Sequence, residues 1–307
     1  MNRKKRLEEL GYRLVGKHSA IKVCLWCKQA IRGVNTCYKH KFYGIDSWRC
    51  IQSSVSLDAC TLRCNWCWRD VKYSQTEIKN PDKPKFILDG LIKEQREILM
   101  GFFGSKTADK KRLNEAMEPK HVALSLTGET CLYPLLPELI KEIHSRGMTS
   151  FVVSNGTVPS MVKKLTKQQP TQFYITLPSP TKELFKKSCN PLIDVAWDNI
   201  QESLGLLGKF DRGTIRMTLA KDMNMLYPEK YAELLKGVDF KFLELKAAMP
   251  VGFAKYKMRY EQMPLHSEIK DFAEKICKQN GWKIIDEKKE SRVVLVMKDD
   301  VERKIKF

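Results

Sequence analysis

Residues 53–70 read SSVSLDACTLRCNWCWRD, an apolar run that ends in Cys60, Cys64 and Cys67, separated by three and then two residues. Three thiolates this close can share one metal centre, but structural metal sites commonly take four protein ligands. A set of three therefore implies a centre that keeps one position open to a ligand from outside the chain. The run before the cysteines reads as a strand over 53–59. Cys60 then falls at its carboxyl end, where barrel enzymes build their active sites.

The same rhythm continues outward. Short apolar runs at 53–59, 121–127, 149–155, 172–178, 214–220 and 241–247 alternate with helical periods such as FILDGLIKEQREILMGFF and PEKYAELLKGV, the signature of βα units and a parallel sheet. Six such units predict an α/β chain with a partial TIM-type (βα)6 open barrel over 51–250. Residues 1–50 read as a cysteine-rich N-terminal extension. Residues 251–307 read as a C-terminal extension packed on the barrel, with a helix ending at Gly281 and strand-like runs around WKIID and RVVLVMK. The polar stretch GSKTADKKRLNEAMEPK (104–120) reads as an exposed linker or insertion.

A chain of 307 residues with 43% hydrophobic content can bury a large core. No apolar run reaches spanning length, and the basic, polar start lacks a signal-type core, so a cytoplasmic protein without a membrane is expected. Ten cysteines there argue for metal binding over disulfides. Seven of them lie within 44 residues, whereas Cys131, Cys189 and Cys277 are scattered and read as packing residues. Lys and Arg exceed Asp and Glu by 55 to 36, a net +19 that suits a polyanionic partner such as nucleic acid. The charge is spread along the chain, and a lysine-rich surface kept for solubility alone has the same composition.

The spacing of Cys60, Cys64 and Cys67, with Trp66 before the last, resembles the hallmark of the radical S-adenosylmethionine (SAM) superfamily. That likeness implies a four-iron four-sulfur cluster on the three thiolates, with the amino acid end of SAM on the open iron. LTGET places Gly128 and Glu129 after the second strand, where the superfamily carries a Gly-Gly-Glu-type segment, here with Thr127 for the first glycine. Ser154 and Asn155 after the third strand, and Arg216 within the fifth, fall where related enzymes contact the cofactor. Zinc is the alternative for a Cys-x2-Cys pair.

Cys24, Cys37 and Cys50 stand at thirteen-residue intervals. With CLWCK in front and CYKHKFYGIDSWRC between the last two, the chain resembles the archaeal 4-demethylwyosine synthases from about residue 15 onward. This family resemblance implies a second 4Fe–4S cluster on Cys24, Cys37 and Cys50, with tRNA and pyruvate as substrates. The enzymes join pyruvate carbons to 1-methylguanosine beside the anticodon, forming a tricyclic base. Lys39 matches the position that forms an imine with pyruvate, with Lys41 as the fallback. The extra Cys27 could instead complete a zinc site. Eukaryotic relatives carry a flavodoxin-like reductase domain for which the 50-residue leader is too short, so an external electron donor of flavodoxin or ferredoxin type is expected, and a monomer. Trp68, Arg69, Tyr73 and Lys255 are candidates for tRNA contact. Two other functions fit the residues: a radical SAM enzyme acting on a peptide or small metabolite, and a non-catalytic zinc-bearing RNA-binding protein.

Overall fold

The computed structural model describes residues 3–306. Met1, Asn2 and Phe307, at the outer ends of the two expected extensions, lie outside the described residues. Two compact units emerge: the second comprises Ala59–Thr76 and Ser154–Glu302, and the first takes Glu77–Val153 with the chain before Ala59 and from Arg303 on.

In the first unit, β1 (Arg13–Val15) and β2 (Ser19–Ile21) form an antiparallel hairpin. β2 pairs antiparallel with β3 (Cys50–Ser54), which runs parallel to β4 (His121–Leu124), itself parallel to β5 (Thr149–Ser154). The helices are α1 (Arg3–Glu9), α2 (Leu25–Ile31), α3 (Tyr38–Tyr43), α4 (Pro84–Met100), α5 (Lys110–Ala116) and α6 (Leu136–Ser145). Proline at the start of α4 and α6 suits a first turn whose N–H groups lack intrahelical partners. Leu88, Leu91 and Leu99 on α4 are fully buried, and this helix packs on β1, β2, β3 and α6.

In the second unit, β6 (Gln172–Thr176), β7 (Gly213–Leu219) and β8 (Phe242–Ala247) run parallel. β10 (Val293–Met297) lies antiparallel between β8 and β9 (Lys283–Lys288). Around them are α7 (Pro159–Leu165), α8 (Lys182–Cys189), α9 (Ala196–Gly205), α10 (Pro228–Lys236) and α11 (His266–Asn280). All five residues of β10 are buried, which explains a run of valines without polar alternation. No helix among the described residues is long and apolar enough to cross a membrane.

Two readings need correction. The first barrel strand lies earlier than 53–59: it ends at Ser54, whose hydroxyl accepts the Ser56 N–H (3.1 Å) and donates to Thr127 O (2.6 Å). A short polar side chain thus competes with the ladder for backbone groups, and Cys60 lies beyond a turn. The supposed linker 104–120 contains α5. Asp109 caps it by accepting the Arg112 N–H, and Leu113 and Ala116, three residues apart, are fully buried beside Ile31 and Leu99. Leu113→Ala is accordingly expected to cost roughly 2–5 kcal/mol in urea denaturation. A change within about 0.5 kcal/mol, ordinary for a solvated segment, would show that α5 contributes little to the fold.

Candidate functional site

The cysteine loop belongs to the second unit, and α8 holds it. The N–H groups of Arg63 and Asn65 donate to Cys189 O (2.8 Å) and Ser188 O (2.9 Å), while Leu192 N–H donates to Thr61 O (2.8 Å). Asn190, the left-handed cap of α8, reaches Asn65 Oδ1 at 3.1 Å. Cys60, Cys64 and Cys67 are partly buried, and none is in a disulfide. A hydrogen bond with Cys189 and then burial raise the Cys64 thiol well above its ordinary range. Burial and the neighbouring Cys64 raise Cys67, opposed by the Arg69 guanidinium. Proton loss from such a set is favoured by a cation bound among the sulfurs. The donor set, three soft ligands on one loop with a buried cation alongside, fits an iron–sulfur cluster.

The SNGT turn after β5 closes on this loop. Asn155 donates through Nδ2 to Thr61 Oγ1 (3.0 Å) and Cys60 Sγ (3.7 Å), and its Oδ1 accepts from Thr157 N (3.0 Å) and Oγ1 (2.7 Å). Ser154 Oγ accepts the Gly156 N–H (2.9 Å). From α9, Asn199 and Ser203 donate to Thr157 O and Gly156 O at 2.9 and 2.6 Å. Four protein atoms thus aim the Asn155 side chain, and three further bonds brace the turn around it, a stronger constraint than a surface turn needs.

Arg216 on β7 faces its register partner Glu244 on β8, with Nη2 at 2.9 Å from a carboxylate that is fully buried, and lies over the Tyr174 ring at 4.3 Å. Trp66 packs against Ala220, Ala248, Met258 and Met263. In the first unit, Gly128 adopts φ +79° with the position of a Cβ only 1.8 Å from Ser56 O, so glycine alone fits. Glu129, buried, accepts the Cys131 N–H at 2.9 Å.

Cys24, Cys37 and Cys50 also converge in the first unit. Cys24 sits at the N-cap of α2 and accepts the Cys27 N–H; Cys37 precedes α3, and Cys50 opens β3. Burial and then Cys37 push the Cys24 thiol up to about 11. Burial pushes Cys50 up to about 12, with Cys24 and Cys37 adding to the rise and Lys39 opposing it. Mutual influence of this kind requires proximity. Cys27 shares this neighbourhood, since burial and then Cys24, Cys50 and Cys37 raise its thiol well above the ordinary range, but it is fully buried among Val23, Ile31, Leu99 and Leu113 and donates to Trp48 O at 3.5 Å. Among the described residues no three His, Cys, Asp or Glu side chains are grouped closely enough for a single metal ion.

The two candidate lysines separate clearly. Lys39 is only 6% exposed, with its amine 4.6 Å from the Phe151 ring centre. Lys41, two residues on, lies on the exposed side of α3. His121, across the sheet register from Cys50, escaped the sequence reading. Burial, then the charges of Arg49, Lys39 and Lys120, push it down to about 3, so it is neutral. Its Nε2 accepts the Asp46 N–H (3.1 Å), which assigns the proton to Nδ1, facing Thr149 Oγ1 at 2.7 Å. Of the tRNA candidates, Trp68 and Tyr73 are exposed, as is Lys255, but Arg69 is buried and bonded to Ser74 Oγ at 2.8 Å. Cys189, Glu244, Asn199 and Ser203 were missed too; only their register or tertiary neighbours reveal them.

Comparison with known proteins adds a separate line of support. A family model described as the Radical SAM superfamily matches residues 54–235, and one described as Wyosine base formation matches 239–298. The S-adenosyl-L-methionine-dependent tRNA 4-demethylwyosine synthase of Pyrococcus abyssi is 42% identical, covering 95% of this chain and 87% of that one. The synthase of Methanocaldococcus jannaschii is 36% identical, covering 96% and 95%. A structure of TYW1 with a lysine–pyruvate adduct bound superimposes with TM-score 0.89 at 35% identity over 99% of this chain and 98% of that one. A crystal structure of archaeal TYW1 gives 0.82 at 32% identity, covering 99% and 100%.

Proposed function

Since the chain belongs to the S-adenosyl-L-methionine-dependent tRNA 4-demethylwyosine synthases, we propose a division of labour between its two cysteine sets, one for SAM and one for pyruvate. The protein is a radical SAM enzyme of wyosine base formation in tRNA, with the α/β open-barrel fold of that superfamily. Peptide or metabolite substrates and a non-catalytic zinc module give way to this assignment.

The observation that carries the proposal is the set of three unbridged cysteines, Cys60, Cys64 and Cys67, on one clamped loop. With a cluster on these three and SAM bound, one-electron reduction supplies a 5′-deoxyadenosyl radical. The residues around the loop do the holding. Asn155 donates to Cys60 Sγ, a bond that tunes such a centre. Glu244 fixes the Arg216 guanidinium for the cofactor carboxylate or ribose. Ser154 and Trp66 complete the cofactor set of this unit, and Gly128 and Glu129 of the first unit keep the cofactor role that the family resemblance implies.

Cys24, Cys37 and Cys50 hold a second cluster, and Cys27 stays a packing residue, as its apolar surroundings and its bond to Trp48 O support. Lys39 attacks the pyruvate ketone through its unprotonated amine; water leaves and an imine forms. The adduct in the related TYW1 structure favours this role, and burial favours Lys39 over Lys41. Neutral His121 adds no charge to that pocket. A separate donor of flavodoxin or ferredoxin type delivers the electron, and the enzyme works as a cytoplasmic monomer.

Incubating tRNA that carries 1-methylguanosine with enzyme, pyruvate, SAM and reductant should yield a tricyclic nucleoside on digestion; its absence when SAM is cleaved would overturn the substrate assignment. Reconstituted protein should hold about eight irons per chain. Replacing Cys24, Cys37 and Cys50 together should leave about half of that iron and some uncoupled SAM cleavage. Stoichiometric zinc at the leader site would defeat the two-cluster reading and make Cys27 a ligand.

A further inference from the structure

An exposed aromatic and basic segment stands next to the cysteine loop in the second unit. The radical SAM match ends at 235 and the wyosine match starts at 239, so the stretch MPVGFAKYKMRY (249–260) belongs to the part of the chain matched by the wyosine model. Its inner residues are committed to packing: Ala254 and Met258 are buried, the latter with Met263 and Trp66. Its tyrosines are open to solvent, although the Tyr256 ring also meets Phe253 at 6.0 Å and the Lys255 amine at 5.0 Å. Tyr256 is 72% exposed and Tyr260 69%, with exposed Lys255, Lys257 and Arg259 interleaved. Arg259 stands 3.9 Å from Asp222, a pair itself open to solvent.

The segment is tied to the loop at its start. Phe253 N–H donates to Trp68 O at 2.9 Å, and Gly252, at φ +58°, would place a Cβ 2.6 Å from that same oxygen. Trp68, the residue after Cys67, is 41% exposed. Apolar rings in water beside a string of cations suit a partner that offers flat apolar faces and negative charge together. Unpaired RNA offers both, since every base has a stacking face and every linkage a phosphate.

We propose that Tyr256, Tyr260 and Trp68 form the platform on which unpaired anticodon-loop bases stack, while Lys255, Lys257 and Arg259 hold the adjoining phosphates; this rests on the tRNA reading above. The platform presents the loop at the rim of the SAM-site cysteines, where a base must be splayed out for reaction.

Binding of a fluorescent anticodon stem-loop to holoenzyme, measured by anisotropy over a range of salt, tests it. Tyr256→Ala with Tyr260→Ala should weaken binding by roughly tenfold per ring with the salt dependence unchanged, and Phe at both positions should restore it. Lys255→Ala with Lys257→Ala should lower the slope of log affinity against log salt by about 1.4. Melting temperature and iron content, read alongside, should match wild type. Equal affinity of the alanine pair and wild type would overturn the platform. So would intact RNA affinity with slowed reduction by an acidic electron-transfer protein, which would make this face a donor site. Failure of wild-type enzyme to bind or modify the stem-loop would instead strike the tRNA reading itself.

Discussion

Replacement of Cys60, Cys64 or Cys67 by alanine lowers reductive cleavage of SAM to the uncatalysed background, as measured by chromatography of 5′-deoxyadenosine from anaerobically reconstituted enzyme. Each thiol stands on a loop clamped by α8, with no spare cysteine of the loop to take over, and a cluster that loses one of three protein ligands becomes labile. Cys189 supplies the internal contrast. Its thiol bonds to Cys64 from the neighbouring helix end, so Cys189→Ala removes a hydrogen bond while leaving all three ligands. That variant should keep its iron and lose no more than roughly 10- to 100-fold of wild-type cleavage, the scale of a lost partner of a metal ligand. Full cleavage by any of the three loop variants would sink the ligand assignment. A dead Cys189→Ala enzyme with its iron lost would promote that residue into the ligand set.

Lys39→Met is expected to abolish the tricyclic product while SAM cleavage and both clusters persist. The amine lies 4.6 Å from the Phe151 ring centre, and methionine removes it while keeping an unbranched apolar side chain of similar length. Borohydride added to wild-type enzyme with pyruvate should trap a reduced adduct on the peptide containing Lys39, and Lys39→Met should lose it. Lys41→Met, on the exposed side of α3, should retain both adduct and product. Normal turnover by Lys39→Met would show that pyruvate is held without an imine, and an adduct on Lys41 would transfer the role.

The inner strands were legible because nothing competes with them: QFYIT and FLELK are short, apolar and bounded by turn residues. The first strand was misplaced by side-chain bonding at Ser54 that no hydropathy pattern carries. α5 hid behind lysines because two buried residues in seven are too few for a periodic signal, and α2 is no longer than α5 while α3 is shorter by one residue. At the site, the cysteine spacing declared itself in full, since ligands on one loop are local in sequence. Glu244 and His121 could not be found that way. Each owes its place to strand register, opposite Arg216 and Cys50 respectively. Asn155 read as a turn residue, which it also is; its second task depends on Thr61 and Cys60, ninety-odd positions earlier.

The clamp between α8 and the cysteine loop bears on how the enzyme is matured and repaired. Its bonds join backbone to backbone, from Arg63, Asn65 and Leu192, so the loop owes its shape to the polypeptide, unlike a zinc finger that acquires structure only with its ion. A folded, clamped loop can be handed iron and sulfide after translation, and can surrender them to oxygen without the chain unfolding. Inactivation in air is then a reversible event, undone by reloading under reducing conditions. Amide exchange at Arg63 and Asn65 should accordingly be as slow in metal-stripped protein as in reloaded protein.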